Sequence, residues 1–246
     1  MRLKDINNVF HLNSRIQKRV ITSKNFTYRI LISIIDRYVH RKSRIVDLGC
    51  GAGTLDYYLA SRGNYVVGVD VSENAIRTAR STAVALRLSE RVKFLQKSLT
   101  SRSIQGKYAV VLLIEVIEHL SDEDMVLRLA NRLLRKNGFL IISTRSVNAP
   151  LNKLNFTKSH DRNVGHLRKY TTGELEKLVI AAGFKVMEKG TREGFLRDFM
   201  FSFPKFGNQI VRLANKFELV SDVLTSIDNI LLEIFGESQI YLVAKK

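Results

Sequence analysis

The string VDLGCGAGT sets an apolar strand directly against a glycine-rich turn and the start of a helix, an order that few folds accept. Gly49, Gly51 and Gly53 carry no side chains, so the backbone there can turn tightly and approach a ligand closely. From Arg44 onward strands and helices alternate: RIVDL, a helix through Leu59, YVVGVD, a helix from Ser72 to Leu88, then VKFLQ. The uniformly apolar AVVLLI follows, then a helix from Asp122 to Arg135, the strand FLIISTR, the helix TTGELEKLVIAAGF, and the strands FKVMEKG and QIYLVAKK. Such alternation predicts a parallel sheet with helices on both faces, AVVLLI at its centre. Gly138, in Lys136-Asn137-Gly138, falls where a helix C-cap is expected.

Two segments stand outside this alternation. Residues 1–43 read as an amphipathic helical cap, with Tyr28, Ile30, Leu31, Ile34, Ile35 and Tyr38 on an apolar face. Residues 191–236 form an insertion between the last two strands, far longer than an ordinary connection. Its stripe through Ile210, Leu213, Phe217, Val220, Leu224, Ile227, Leu231 and Ile234 has helical spacing and is expected to pack as a lid on the domain. Lining a greasy acceptor pocket or dipping into a membrane interface is the alternative for its aromatic-rich stretch. At 246 residues one domain is expected, with residues 44–190 as the cofactor-binding core and 237–246 as the last strand.

Cys50 is the sole cysteine, which rules out an intrachain disulfide, a four-cysteine zinc site and a CxxC pair. Neither the start of the chain nor its longest apolar run, Tyr108 to Ile114, has the length of a signal core or membrane span. A cytoplasmic protein, peripheral at most, is expected. Lys and Arg outnumber Asp and Glu 40 to 23, a net +17 that favours a polyanionic partner such as RNA, an acidic membrane surface or a phosphorylated substrate.

Asp70 closes the second strand, where a carboxylate can accept hydrogen bonds from both hydroxyls of a ribose. A dinucleotide fingerprint needs a third glycine where Thr54 stands, so the GxGxG spacing argues against a dehydrogenase. VDLGCGAGT, GVDVS, VVLLIEVIEHL, LLRKNGFLIISTR and GHLRKYTTGELEKLVIAAGF, in this order, resemble the successive motifs of class I S-adenosylmethionine-dependent methyltransferases, especially the ubiquinone-pathway O-methyltransferase group. The resemblance implies a Rossmann-like α/β fold: a seven-stranded, mostly parallel sheet whose last strand is antiparallel. It places Asp47, Gly49, Cys50, Gly51 and Gly53 on the methionine part of the cofactor and Asp70 with Val71 on the ribose. Ser98, Leu99 and Glu115 complete the expected cofactor contacts. The sequence departs from the family at QKSLT, where an acid often reads the adenine amino group.

In EVIEHL, Glu115, Glu118 and His119 are spaced so that one helical turn would put them on a common face beyond the central strand. His160 and His166 follow in the loop SHDRNVGHLRKYT. This resembles the ExxEH site of ubiquinone-pathway O-methyltransferases and small-RNA 2′-O-methyltransferases. The resemblance implies Mg²⁺ or Zn²⁺ on Glu115, Glu118, His119 and His166, with His119 or His166 taking the acceptor's proton. The plain alternative is a pair of acids at a helix start with a histidine completing hydrogen bonds. The function expected is O-methylation of a hydroxylated small-molecule or lipid-like acceptor near a membrane. The alternatives are RNA 2′-O-methylation and a non-catalytic cofactor-binding module.

Overall fold

The computed structural model describes residues 16–100, 103–154, 156, 161 and 165–246. His160 and the first fifteen residues of the expected cap lie outside them. The strands are β1 (Arg44–Leu48), β2 (Tyr65–Asp70), β3 (Val92–Gln96), β4 (Tyr108–Ile114), β5 (Leu134–Arg145), β6 (Lys185–Arg192) and β7 (Gln239–Lys245). They form one seven-stranded sheet in the order β3-β2-β1-β4-β5-β7-β6. β1 pairs in parallel with β2 and β4, as do β2 with β3 and β4 with β5, while β7 runs antiparallel to both β5 and β6. The strand order reverses between β1 and β4, the place where open α/β sheets bind ligands at their carboxyl ends.

Alternation within each strand divides the core. Val46, Leu48, Val111, Leu113, Leu140 and Ile142 face α4 (Glu123–Leu133) and α6 (Thr172–Ala181). Their neighbours Ile45, Val110, Leu112 and Ile141 face α1 (Arg29–Tyr38), α2 (Thr54–Ser61) and α3 (Glu73–Ala85). Burial on both faces accounts for the continuous apolar run in β4. α1 turns Leu31, Ile32, Ile34 and Ile35 inward. Ser72 and Asp122 cap α3 and α4 through their side chains, and Thr171 with Glu174 closes a capping box on α6.

One boundary differs from expectation. α4 ends at Leu133, and Leu134 is already extended and pairs with Tyr108. Arg135 to Gly138 bulge out of β5 before pairing resumes at Phe139 with Val110. The left-handed position is Asn137 at φ 61, so Gly138 is not a helix C-cap. Asparagine tolerates this conformation because its short polar side chain can hydrogen-bond locally.

Between β6 and β7 the chain forms α7 (Phe195–Ser202), α8 (Pro204–Lys216) and α9 (Glu218–Phe235), preceded in the chain by the short α5 (Pro150–Lys153) on the β5 side. The insertion stripe does not all face inward: Ile210, Leu213, Phe217, Ile227 and Ile234 are exposed. What α9 buries is Ser221, Thr225 and Asp228.

Candidate active site at the carboxyl ends of β1, β2 and β4

The glycine turn after β1 is tied to β2, because the N–H groups of Gly49 and Cys50 both donate to the Val69 carbonyl, at 2.7 and 3.1 Å. Gly53, at φ 81, begins α2. Side chains are excluded here by space as well as by backbone angle. A Cβ on Gly53 would lie 2.6 Å from Phe94 Cζ, and one on Gly49, at φ 87, would lie 2.3 Å from Val116 Cγ2. The bare loop and the turn after β4 therefore share a wall.

Asp70 Oδ2 accepts from the Gly51 N–H at 2.9 Å and Oδ1 from the Ser72 N–H at 2.8 Å, so one carboxylate joins the first and second loops. Each oxygen keeps a lone pair for a further donor. Asp47 is buried on β1, and desolvation together with the Asp70 charge pushes its carboxyl up to about 7. Asp56, on α2, is fully buried, and its carboxyl shares a hydrogen bond with that of Asp47. Burial and the nearby Asp47 hold it well above the usual carboxylate range. Burial, reinforced by Asp56, Asp47 and Asp70, also raises the Cys50 thiol. Val71 is half-buried beyond Asp70, Leu99 is half-buried, and Ser98 is exposed with its hydroxyl 2.9 Å from Thr100 Oγ1. Gln17 reaches over from the N-terminal segment to donate to Thr54 Oγ1 at 2.6 Å.

The acid and histidine constellation is built on a shorter turn than the spacing suggests. Glu115 takes a left-handed backbone, φ 54, and only Ile117–His119 form a 3₁₀ turn. Glu115 therefore leaves the common face, and its Oε1 accepts from Ser143 Oγ at 3.0 Å and Arg192 Nη2 at 3.2 Å. Glu118, His119 and His166 do come together, each offering a ligand atom within 4.8 Å of the others. Glu118 is fully buried; Thr144 Oγ1 donates to its Oε2 at 2.9 Å, while Oε1 has no partner. Burial first, and the Glu115 charge second, push its carboxyl well up.

The loop bearing His166 is pinned here because the Leu167 N–H donates to the Glu118 carbonyl at 2.8 Å. The two imidazole rings lie 4.8 Å apart at 49°. His119 Nδ1 faces the Gly165 carbonyl at 3.1 Å, a partner that can only accept, so Nδ1 carries the hydrogen and Nε2 the lone pair. Burial, then the neighbouring His166, lowers the His119 pKa and keeps the ring neutral at neutral pH. His166 Nδ1 lies 2.9 Å from Asp161 Oδ1, and Lys169 Nζ lies 2.6 Å from Asp161 Oδ2. A carboxylate behind an imidazole fixes its orientation and tautomer.

Asp56, Asp161, Thr144 and Arg192 escape a reading of the sequence. Asp56 looks like an ordinary first-turn acid of a helix, and Thr144 and Arg192 belong to strands whose register must be known first.

A mostly parallel sheet with an antiparallel seventh strand, a glycine turn after β1 and an acid ending β2 define the Rossmann-like class I methyltransferase fold. The chain belongs to the methyltransferase domain family, whose model matches residues 24–189. It is 38% identical over 102 residues to a ubiquinone biosynthesis O-methyltransferase from Azorhizobium caulinodans, a match covering 41% of this chain and 40% of that protein. The match thus spans about two fifths of the relative's length. A Haemonchus contortus phosphoethanolamine N-methyltransferase 2, solved with S-adenosyl-L-methionine, shares the fold with TM-score 0.69 at 16% identity, over 100% of this chain and 60% of that one. So does a [4+2]-cyclase, with TM-score 0.63 at 18% identity over 88% of this chain and 80% of that one. One fold carries more than one reaction, so activity is argued from the site.

Proposed function

We propose that the protein transfers a methyl group from S-adenosylmethionine to a hydroxyl of a small-molecule or lipid-like acceptor, near an acidic membrane surface. The observation that carries this is the shared wall: Gly49 packs on Val116, one residue before the turn bearing Glu118 and His119. Cofactor loop and the turn bearing the acid–histidine cluster are thus neighbours at one end of the sheet.

Bound S-adenosylmethionine supplies an already activated methyl group, so most of the rate comes from holding the acceptor in line. Asp47, Gly49, Cys50, Gly51 and Gly53 hold its methionine part, Asp70 and Val71 its ribose, and Ser98 and Leu99 its adenine edge. The buried carboxylates of Asp47 and Asp56 suit a ligand that brings positive charge. Glu115, whose Oε1 holds Arg192 and Ser143, offers its other carboxylate oxygen to the cofactor.

His119, neutral and with its lone pair on Nε2, accepts the acceptor's proton, and His166, oriented by Asp161, is the second base. Alternatively, the same two Nε2 atoms with Glu118 would be the donor set for a divalent ion, and neither imidazole would then serve as the base. The unpartnered Glu118 Oε1 fits such an ion, and two imidazoles with one carboxylate suit Zn²⁺ better than Mg²⁺. A metal held by these residues would lower the pKa of the acceptor hydroxyl. Glu115 stands outside this set while Arg192 holds it.

Calorimetric titration with S-adenosylmethionine, with and without Zn²⁺ and EDTA, tests the cofactor and metal assignments. Saturable binding weakened at least tenfold in Asp70→Asn supports the first, and Zn²⁺ heat lost in Glu118→Gln supports the second. Formation of S-adenosylhomocysteine with a phenolic acceptor tests turnover. Stoichiometric cofactor binding without product from any acceptor pool would leave a non-catalytic module. The net +17 favours RNA 2′-O-methylation as a second reading, and product formed on RNA alone would establish it.

A further inference from the structure

The α8–α9 hairpin buries a polar row together with Val211, Val220 and Leu224, which pack on Phe26, Met200 and Ala214, and leaves a second apolar face outward. On α9 the buried positions are Ser221, Thr225 and Asp228, spaced four and three apart along one face. On the opposite face Leu219, Val223, Ile227, Ile230 and Ile234 repeat at the same helical spacing and are open to solvent, Leu219 being 75% exposed. α8 repeats the pattern: Phe206, Ile210, Leu213 and Phe217 form an exposed stripe, Phe206 at 71%. Its inward face includes the small residues Gly207 and Ala214. A Cβ on Gly207 would lie 2.0 Å from the Met200 carbonyl oxygen, so α8 sits as close to α7 as backbone allows.

The buried polar face of α9 is fully engaged. Arg197 of α7 donates from its backbone N–H to Asp228 Oδ1 at 3.0 Å, places Nε 3.1 Å from Asp228 Oδ2, and reaches Thr225 Oγ1 at 2.9 Å. The Gly194 N–H donates to Asp228 Oδ2 at 2.9 Å, and the Arg197 guanidinium covers the Phe26 ring. Rotating α9 to bury its apolar stripe would break this lattice. The stripes are thus fixed outward by the interior, and contiguous apolar surface of this kind marks a docking face.

We infer that the exposed face of α8 and α9 is a docking surface for an anionic lipid bilayer, lying in the interface plane. Charge selects this occupant over a second copy: two chains of net +17 repel, whereas an anionic surface attracts each of them. The acids near the face are largely matched. Glu218 pairs with Lys24 at 3.0 Å, Asp222 with Arg29 at 2.7 Å, and Asp228 with Arg197. Arg212 and Lys216 are exposed on α8, and Lys216 Nζ lies 5.1 Å from the centre of the Phe217 ring, where a long stem can keep its charge in water while the ring goes under. α9, 18 residues and about 27 Å long, carries Glu218, Asp222, Asp228 and Glu233, and no described helix is long and apolar enough to cross a membrane. Lying flat, such a helix buries its apolar face about 5–10 Å into the headgroup boundary.

The inference deepens the reading of a membrane-proximal acceptor and rests on it for its purpose alone, because vesicle binding is read without cofactor or turnover. The test is flotation of the full chain with phosphatidylcholine/phosphatidylglycerol vesicles and with phosphatidylcholine vesicles. Sedimentation equilibrium is run in parallel, on wild type, Leu219→Glu/Ile230→Glu and Phe206→Ser/Ile210→Ser, all matched in far-ultraviolet spectrum and melting. The expected result is recovery with the anionic vesicles that falls with added salt and drops at least tenfold in both helix variants. Absence of flotation with anionic vesicles, or flotation unchanged in both variants, overturns the proposal. So does a wild-type dimer that the variants dissociate, since that makes a second copy the occupant.

Discussion

Asp47 lies where burial and a second carboxylate oppose its ionisation, and only a cationic ligand would relieve both. Its carboxyl stands at about 7 in the folded chain against 3.8 when solvated. Between these values the folded state holds a proton that the unfolded state has released, so the Asp47 contribution to stability is fully present below pH 4 and is lost as pH rises toward 7. Subtracting the Asp47→Asn curve from the wild-type curve of unfolding free energy against pH should isolate a fall of roughly 4 kcal/mol across that window. The variant should match or exceed wild type in stability at pH 8 and yet bind S-adenosylmethionine at least tenfold more weakly. A flat difference curve would show that Asp47 ionises freely. Gly49→Ala tests the shared wall at the same scale, since the added methyl meets Val116 and the backbone sits at φ 87. A loss of roughly 1–3 kcal/mol in denaturant unfolding is expected, together with loss of cofactor binding. The spacing of Glu115 from Glu118 and His119 suggests one helical turn. The left-handed φ of Glu115 and the pull of Arg192 undo that grouping, and neither can be read from EVIEHL. The nearness of His166 to Glu118 and His119 was only partly legible: the motif order puts their segments at one end of the sheet, but the hydrogen bond from the Leu167 N–H to the Glu118 carbonyl that closes the group cannot be read from sequence.

At the scale of elements, strands and helices of the core were legible because each run satisfies one period and one burial pattern. RIVDL, YVVGVD and VKFLQ match β1, β2 and β3 residue for residue. The insertion was legible as helical and not as to which face turns inward, because hydrophobicity sets that choice only where the alternative face is polar and unpaired. Here Arg197 and Asp228, 31 residues apart, decide it by burying their charges against each other. Removing one partner leaves the other charged and buried, so Arg197→Met should cost roughly 3–5 kcal/mol in denaturant unfolding. Arg197→Met/Asp228→Leu should recover most of that loss, because two apolar side chains of similar volume replace a matched pair. A double variant as unstable as the single would show that the backbone donors of Gly194 and Arg197 left unpaired, rather than the charge, carry the penalty.

At the scale of the molecule, the insertion leaves and re-enters the sheet at nearly one point. The Ser238 N–H donates to the Glu193 carbonyl at 2.8 Å, and the Ser238 hydroxyl donates to the same oxygen at 3.1 Å. β6 and β7 pair from Arg192 with Gln239 outward, so their register does not depend on what lies between. The contacts that join insertion to core avoid β1 and β2: Arg145 with Asp198, the Asp198 carboxylate with the Leu151 N–H, Lys24 with Glu218, Arg29 with Asp222, and Phe26 packed on Met200, Ala214 and the Arg197 guanidinium. Replacing residues 195–236 by a short glycine–serine linker should therefore leave a chain that folds cooperatively. Arg145 and Phe26 then gain solvent in place of their partners, and melting falls by several degrees. The glycine turn, Asp47 and Asp70 lie on β1 and β2 and touch none of the removed helices through any bond described above. S-adenosylmethionine affinity measured by calorimetry should accordingly stay within a few-fold of the full chain, while recovery with anionic vesicles disappears. A linker variant that folds but no longer binds the cofactor would mean that the helices complete the cofactor site itself, and the split between a binding core and a docking element would have to be given up.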